Sequence, residues 1–384
     1  MTKKVGMSTY IVREVRGRKD LKKFIRFPDE LYKGCDCYVP PLHGGQEHEL
    51  MHSASLEYCT RKMWLAEDGH GKVVGRICAI INPRYNERYG TKRVRFGWFD
   101  LINDIEVARL LTGAAESWAL SQGMDEIHGP LQYTTMGRQG MLVEGFDKLA
   151  PFSCLYNYPY YVDLVRHLGF EKECDWVQYR MPAGQGVDEK MKNIAARMLD
   201  RYHIRAADFD KLKKDRSYFK KFFDAYNSAF DGHVYNFVPF TDAEIEEEID
   251  NILQMLDKKL CCVLLDEDDD VAAFGIAMVS LSWAMRKAKG RLFPFGWYHV
   301  LKAKKDYRNI DLLLNGAAPK WQKTGISSVF HGIMAGQFQD CGAEWAIANP
   351  QIETNTAVNV WERYESELWL RRRCWIKKIG GACK

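Results

Sequence analysis

The sequence lacks any run of eighteen or more apolar residues, so no membrane-spanning helix is expected. Residues 1–9 carry Lys3 and Lys4 with no apolar stretch behind them, which does not read as a secretory signal. A cytoplasmic protein without a membrane partner is therefore expected. No Walker loop occurs, and no Gly-x-Gly-x-x-Gly follows a strand-like run, so the common nucleotide-binding signatures are missing. A large excess of one charge is missing too. Lys and Arg total 55 against 51 Asp and Glu, and a net charge of +4 is too mild to imply nucleic acid. Cys35-x-Cys37 is not a zinc-finger spacing. The 11 cysteines are odd in number and sit in apolar contexts, such as Cys78 within 73–81 and Cys261-Cys262 beside Val263. They read as buried reduced thiols rather than bridges.

What the sequence does contain is enough apolar material for two cores. With 384 residues, 46% hydrophobic and 28% charged, it reads as two globular domains of ordinary size. Leu21, Phe24, Ile25 and Leu31 recur at helical spacing over residues 20–32. Two β-rich runs, 64–68 and 73–82, flank Asp68-Gly69-His70-Gly71, a hairpin signal. A strand at 96–102 leads to a helix at 104–122, closed by Gly123 where a C-cap belongs. A strand at 126–131, a helix at 158–168 and a strand at 175–181 complete this half. Met181-Pro182-Ala183-Gly184-Gln185-Gly186 is a linker by composition, and a helix at 188–202 follows it.

The second half repeats the order. Helices are expected at 217–230 and 245–256, the latter opened by the capping box Thr241-Asp242-Ala243-Glu244. A hairpin at 260–265 and 272–280 turns around 266–270. Strand 309–314, helix 325–340 with Gly342 behind it, strand 343–348, helix 355–364 and strand 368–378 follow. Both halves thus run helix, hairpin, strand, long helix, strand, helix, strand. Internal duplication is the economical reading, with domains at 1–182 and 183–384.

Chemistry concentrates where strand 309–314 enters helix 325–340. The connecting loop carries Pro319, then Gln322-x-x-Gly325-x-Ser327. Backbone N–H groups at a helix start have no helical partner, the helix dipole favours an anion there, and glycine permits close approach. A pyrophosphate suits such a place. These residues resemble the Arg/Gln-x-x-Gly-x-Gly/Ala loop of the GNAT N-acetyltransferase superfamily, with its proline three residues ahead. Ser327 departs from the usual last Gly/Ala. Together the halves resemble bacterial tandem GNAT-like proteins, with Phe96-Gly97-Trp98-Phe99 and His128-Gly129-Pro130 among the shared motifs.

The resemblance implies an α/β fold of two tandem GNAT-like domains, each a mixed central sheet flanked by helices. It implies acetyl-CoA as co-substrate, held by Ala317, Gln322, Lys323, Thr324, Gly325, Ile326, Ser327 and, at the pantetheine arm, Asn355. It implies acetyl or acyl transfer to a small-molecule or peptide amine by direct attack. Tyr364 is the candidate acid, and Glu353, with Glu344, a candidate base. The first half has the scaffold without the loop: Asp100, Asp104 and Glu106 stand where a pyrophosphate would lie, and like charges repel. A homodimer is compatible with this reading.

Two other functions fit some of the residues. A GNAT-like fold that binds a ligand without turning it over is one. The other is a zinc peptidase through His48-Glu49-Leu50-Met51-His52, since that spacing puts both imidazoles on one helical face. No third ligand for such an ion is recognisable, and none of the expected site residues is a metal ligand. Arg371-Arg372-Arg373 and Lys302–Lys305 are basic runs, either solvated edges or greeters of an acidic group.

Overall fold

The computed structural model describes residues 10–185, 189–212, 214–232, 234–255, 257–355 and 365–380. Along the first half the elements are β1 (Tyr10–Glu14), α1 (Gly17–Leu31), α2 (His43–His52), β2 (Thr60–Asp68), β3 (Val73–Ile81), α3 (Pro83–Tyr89), β4 (Arg93–Leu101), α4 (Ile105–Ser121), β5 (Glu126–Gly129), β6 (Met141–Glu144), α5 (Tyr160–His167) and β7 (Glu171–Pro182). The second half supplies α6 (Glu189–Arg201), β8 (Arg205–Ala206), α7 (Phe209–Leu212), α8 (Ser217–Phe230), α9 (Asp242–Met255), β9 (Cys262–Leu265), β10 (Val271–Val279), α10 (Ser282–Ala288), α11 (Gly296–Ala303), β11 (Asn309–Ala317), α12 (Ile326–Asp340), β12 (Trp345–Ile347), β13 (Gln351–Ile352) and β14 (Glu367–Lys378). The helix expected at 355–364 lies, beyond Asn355, outside the described residues.

Two compact units form, and each takes chain from both halves of the sequence. The first comprises Met1–Trp176, Met285–Gly296 and Leu370–Lys384; the second comprises Val177–Ala284 and Trp297–Trp369.

In the first unit the sheet runs β1-β2-β3-β4-β5-β14, with β6 also paired to β14. All neighbours are antiparallel except β4 and β5. The hairpin expected around Asp68–Gly71 is present, Trp64 facing Ile77 across it. Helix α4 packs on β3 through Val107, Ala108 and Leu111, and Gly75 is required beneath it. A methyl group there would lie 2.7 Å from the Leu111 side chain. Trp375 of β14 is 1% exposed in this core.

In the second unit the order is β12-β11-β10-β9-β8, and Arg180–Pro182 of β7 pair with β12. Helix α8 packs on one face of β10 and β11 and α12 on the other. The α8 face is aromatic: the Phe222 and Phe274 rings lie 4.6 Å apart, and Phe223, Tyr226 and Phe240 meet one another edge-on or tilted. Thr241 and Glu244 make the reciprocal capping bonds, Glu244 N–H to Thr241 Oγ1 at 3.2 Å and Thr241 N–H to Glu244 Oε2 at 2.9 Å. Cys78, Cys261 and Cys262 are buried thiols. Burial pushes those of Cys78 and Cys262 up to about 12.

Candidate functional site

Among the described residues each unit contains a parallel strand pair, β4 with β5 in the first and β11 with β12 in the second, and the two pairs end differently. In the second unit β11 pairs with β12 only from Asn309 to Asp311. Beyond Asp311 the strand continues to Ala317 bonded to β10. The two parallel strands therefore part, and a cleft opens under α12. It measures about 640 Å³ counting its mouth and is lined by Leu312, Leu314 and Ala346 from the sheet and His331, Met334 and Phe338 from α12. Only about 70 Å³ of that is room for whole water-sized spheres, less than the roughly 300–1,000 Å³ of ordinary small-molecule pockets, and its lining is mainly apolar.

The candidate cofactor loop closes one end of this arrangement. Ala317 ends β11, and its carbonyl accepts a hydrogen bond from Gln322 Nε2 at 3.2 Å. Thr324 Oγ1 donates to Trp321 O at 2.7 Å and accepts from Ile326 N–H at 3.4 Å. Lys323 and Gly325 both have left-handed backbones, with φ of +65° and +92°. Two such turns within three residues bring the chain round to the first turn of α12, where Ile326 is buried and Ser327 exposed. Met198 of α6 stands 3.4 Å from where a Gly325 methyl would be. Asn355 lies past β13, its N–H bonded to Ile352 O at 2.9 Å. Glu353 and Glu344 are exposed, and Tyr364 lies outside the described residues.

Asp311 was not among the residues expected from sequence. It sits at the last paired position before the strands part and is 1% exposed. Burial pushes its carboxyl up to about 7, against a smaller opposing effect of the Ser280 hydroxyl. Since its neighbour Leu312 lines the cleft, strand alternation turns Asp311 toward the α8 face. A lone acid inside Ile310-Asp311-Leu312-Leu313-Leu314 is the signal that could have marked it. His331 of α12 has its imidazole pushed down to about 4 by burial, so it lines the cleft uncharged.

In the first unit the corresponding gap is filled. β4 and β5 pair from Arg93 to Arg95, and the chain after Gly129 then stays beside β4. Leu131 N–H donates to Phe96 O at 2.8 Å, and Arg95 Nη1 donates to the carbonyls of Gln132 and Tyr133 at 2.8 and 2.6 Å. A methyl at Gly97 would lie 2.5 Å from Leu131 O, and one at Gly129 would meet Phe96 O. The glycines of Phe96-Gly97 and His128-Gly129-Pro130 thus serve each other's close approach. Of the acids expected near this helix start, Asp100 is instead buried against Arg76 at 2.7 Å and Tyr32 at 2.9 Å. Asp104 caps α4 by accepting from Glu106 N–H at 2.8 Å.

His48 and His52 lie on helix α2 with rings 6.0 Å apart, as their spacing predicts, but both are exposed. Among the described residues, the group of three ligating side chains close enough to share an ion is elsewhere: His128, Glu173 and Cys374. Glu173 is bound there by Arg93 at 2.7 Å and His128 at 3.3 Å. A guanidinium this close opposes a second cation, so the group reads as a buried hydrogen-bonded network. Arg371 and Arg373 share a strand face, and both reach Asp175, at 3.7 and 2.7 Å.

Two α/β units, each with a parallel strand pair and a long helix between its strands, constitute the tandem GNAT fold. The chain superposes on a tandem GNAT protein from the clavulanic acid biosynthesis pathway with a TM-score of 0.55 and 8% identity, covering 97% of this chain and 99% of that one. It superposes on a protein described as a fungal GH3 beta-N-acetylglucosaminidase with a GCN5-related glucosamine N-acetyltransferase region, with a TM-score of 0.59 and 16% identity. That match covers 97% of this chain and 38% of the longer one.

By sequence it is 29% identical over 381 residues to Protein YghO of Escherichia coli (strain K12), covering 96% of this chain and 95% of the relative. It is 26% identical over 295 residues to the bacterial ceramide synthase of Caulobacter vibrioides (strain NA1000 / CB15N), covering 75% and 74%. No family model matches the sequence.

Proposed function

We propose that the second unit transfers an acyl group from a CoA thioester to a primary amine. The observation that carries this reading is the parting of β11 from β12 directly after a buried carboxyl, beside an apolar cleft and a loop shaped for an anion. The pyrophosphate is assigned to the backbone N–H groups around Gly325–Ser327, with Lys323 adding charge and Asn355 meeting the pantetheine arm. The thioester enters the gap between the strands. Its acyl tail turns into the cleft toward Met334 and Phe338, while the amine approaches from the α8 face.

The amine nitrogen attacks the thioester carbon, a C–N bond forms and the C–S bond breaks. Asp311 takes the proton lost by the amine. A group that ionises near 7 is suited to that role, because about half of it is free to accept at neutral pH and it is more basic than an ordinary carboxylate. Tyr364 is the proposed donor to the departing thiolate. Glu353, being exposed, is the weaker of the two base candidates.

The cleft's apolar lining and the relative named as a ceramide synthase support a long acyl chain and a long-chain amino alcohol as acceptor, since a ceramide is the amide of such an amine. The test measures thiol release by the purified protein with palmitoyl-CoA or acetyl-CoA and sphinganine. Palmitoyl-CoA is expected to be the better donor. Asp311→Asn should lower kcat by roughly 10²-fold or more. Ser327→Glu should weaken palmitoyl-CoA binding in calorimetry by roughly tenfold or more while leaving the fold intact, since an acid in a first helical turn suits the dipole but repels phosphate. Failure of the wild type to bind either thioester would leave a GNAT scaffold that recognises something else.

A further inference from the structure

The acyl-transfer reading does not use the most hydrophobic exposed part of the chain. Twelve large apolar side chains are exposed among the described residues, and seven of them fall between 283 and 301. They are Trp283, Leu292, Phe293, Phe295, Trp297, Tyr298 and Leu301. Phe293 is 78% and Phe295 72% exposed. A soluble surface tolerates scattered apolar residues, but a concentrated patch marks an interaction.

The tip that carries the two phenylalanines is held out by its own backbone. Gly290 is fixed from below, its carbonyl accepting from His43 N–H at 2.9 Å. Gly296 closes the other end, lying so near Arg291 O that no Cβ could be added. Leu292-Phe293-Pro294-Phe295 is therefore a tight loop, all four residues exposed, rather than a floppy tail.

The chain on both sides of the tip carries charge of one sign, although Asp36 lies against Arg286 and Asp29 against His43. From Val271 to Lys305 the sequence contains no Asp or Glu, while Arg286, Lys287, Lys289, Arg291, Lys302, Lys304 and Lys305 fall in its last twenty positions. All of these except Arg286, which is bound by Asp36, are exposed. Bulky aromatics beside lysines and arginines match the boundary of an anionic bilayer. Rings of Trp, Tyr and Phe settle among headgroups there, and cations gain from the negative surface.

We propose that residues 285–296 of the first unit dock this protein on the surface of an anionic phospholipid bilayer, with Phe293 and Phe295 inserted among the headgroups. No helix among the described residues is long and apolar enough to cross a membrane, so this is attachment and not spanning. The proposal replaces the expectation of no membrane partner, which rested on the lack of a spanning segment. It stands independently of the acyl-transfer reading.

The test is co-sedimentation of the full chain with vesicles of phosphatidylcholine alone and of phosphatidylcholine mixed with phosphatidylglycerol. Binding should appear on the mixed vesicles and fall with added salt. Phe293→Ser with Phe295→Ser, both exposed and outside the cores, should lower the partition coefficient by about tenfold or more. Lys287→Glu with Lys289→Glu should lower it by roughly fivefold per cation or more, on the mixed vesicles only. A wild type that stays in the supernatant with mixed vesicles at low salt overturns the proposal. So does a serine variant that binds as well as the wild type. A dimer seen by light scattering that the serine variant loses, without vesicle binding, would assign the patch to a second copy of the chain instead.

Discussion

Asp311 and His331 lie in the same unit, and burial acts on them with opposite consequences for stability. Asp311 is raised from 3.8 to about 7, so its contribution to stability is fully present below the unfolded value and is lost as pH rises through about 7. His331 is lowered from 6.5 to about 4, so its contribution is fully present above 6.5 and is lost as pH falls through about 4. Between these values the two slopes oppose each other. Asp311→Asn should therefore make stability rise with pH relative to the wild type, by up to about 1.4 kcal/mol per pH unit. Urea denaturation at several pH values from 4.5 to 7 checks this, and parallel curves would refute it. If Asp311 is the base, the acid limb of kcat/KM should also lie near 7 and vanish in the same variant. The sequence marked Glu353 and Tyr364 by position relative to a motif. Asp311 carried no such mark, because its shift arises from what surrounds it.

At the scale of elements, the two parallel strand pairs differ by what fills the gap. In the first unit the segment after Gly129 lies along β4, and Gly97 makes room for it. Gly97→Ala should cost about 2 kcal/mol, the usual penalty for forcing extra volume against a fixed backbone. Gly113→Ala is the matched control. Gly113 lies inside α4 with nothing within 4 Å of the added methyl, so that change should gain up to about 1 kcal/mol. Denaturant midpoints of the two variants should move in opposite directions. Much at this scale was legible beforehand. Helix α8 runs over residues 217–230 as read from its periodicity, and α9 follows the capping box at Thr241. β11 extends three residues beyond the strand read at 309–314, because pairing with β10 continues through Leu314, Asn315, Gly316 and Ala317.

The molecule as a whole exchanges chain between its halves. β14 belongs to the last segment of the sequence yet completes the first unit's sheet, with Trp375 opposite Gly129 and Ile376 opposite His128. A fragment of residues 1–182 lacks that strand. It would leave the β5 edge unpaired and a core position empty where Trp375 belongs. The fragment should therefore show little near-ultraviolet circular dichroism and should aggregate, and a peptide of residues 367–384 should restore signal when added. A cooperative melt of residues 1–182 alone would contradict this.

The sequence by itself determined the two hairpins, the long helices α4 and α12 and the strands beside them, and it marked the loop at Gly325, because periodicity, caps and turn residues act over a few neighbouring positions. It also showed that the first half lacks such a loop. Tertiary structure alone decided that β11 and β12 part at Asp311 and that a carboxyl is buried there. It decided that the gap between β4 and β5 is filled and that Phe293 and Phe295 stay exposed. These depend on strand register and on burial among residues far apart in the chain. Neither quantity is written into any local stretch of sequence.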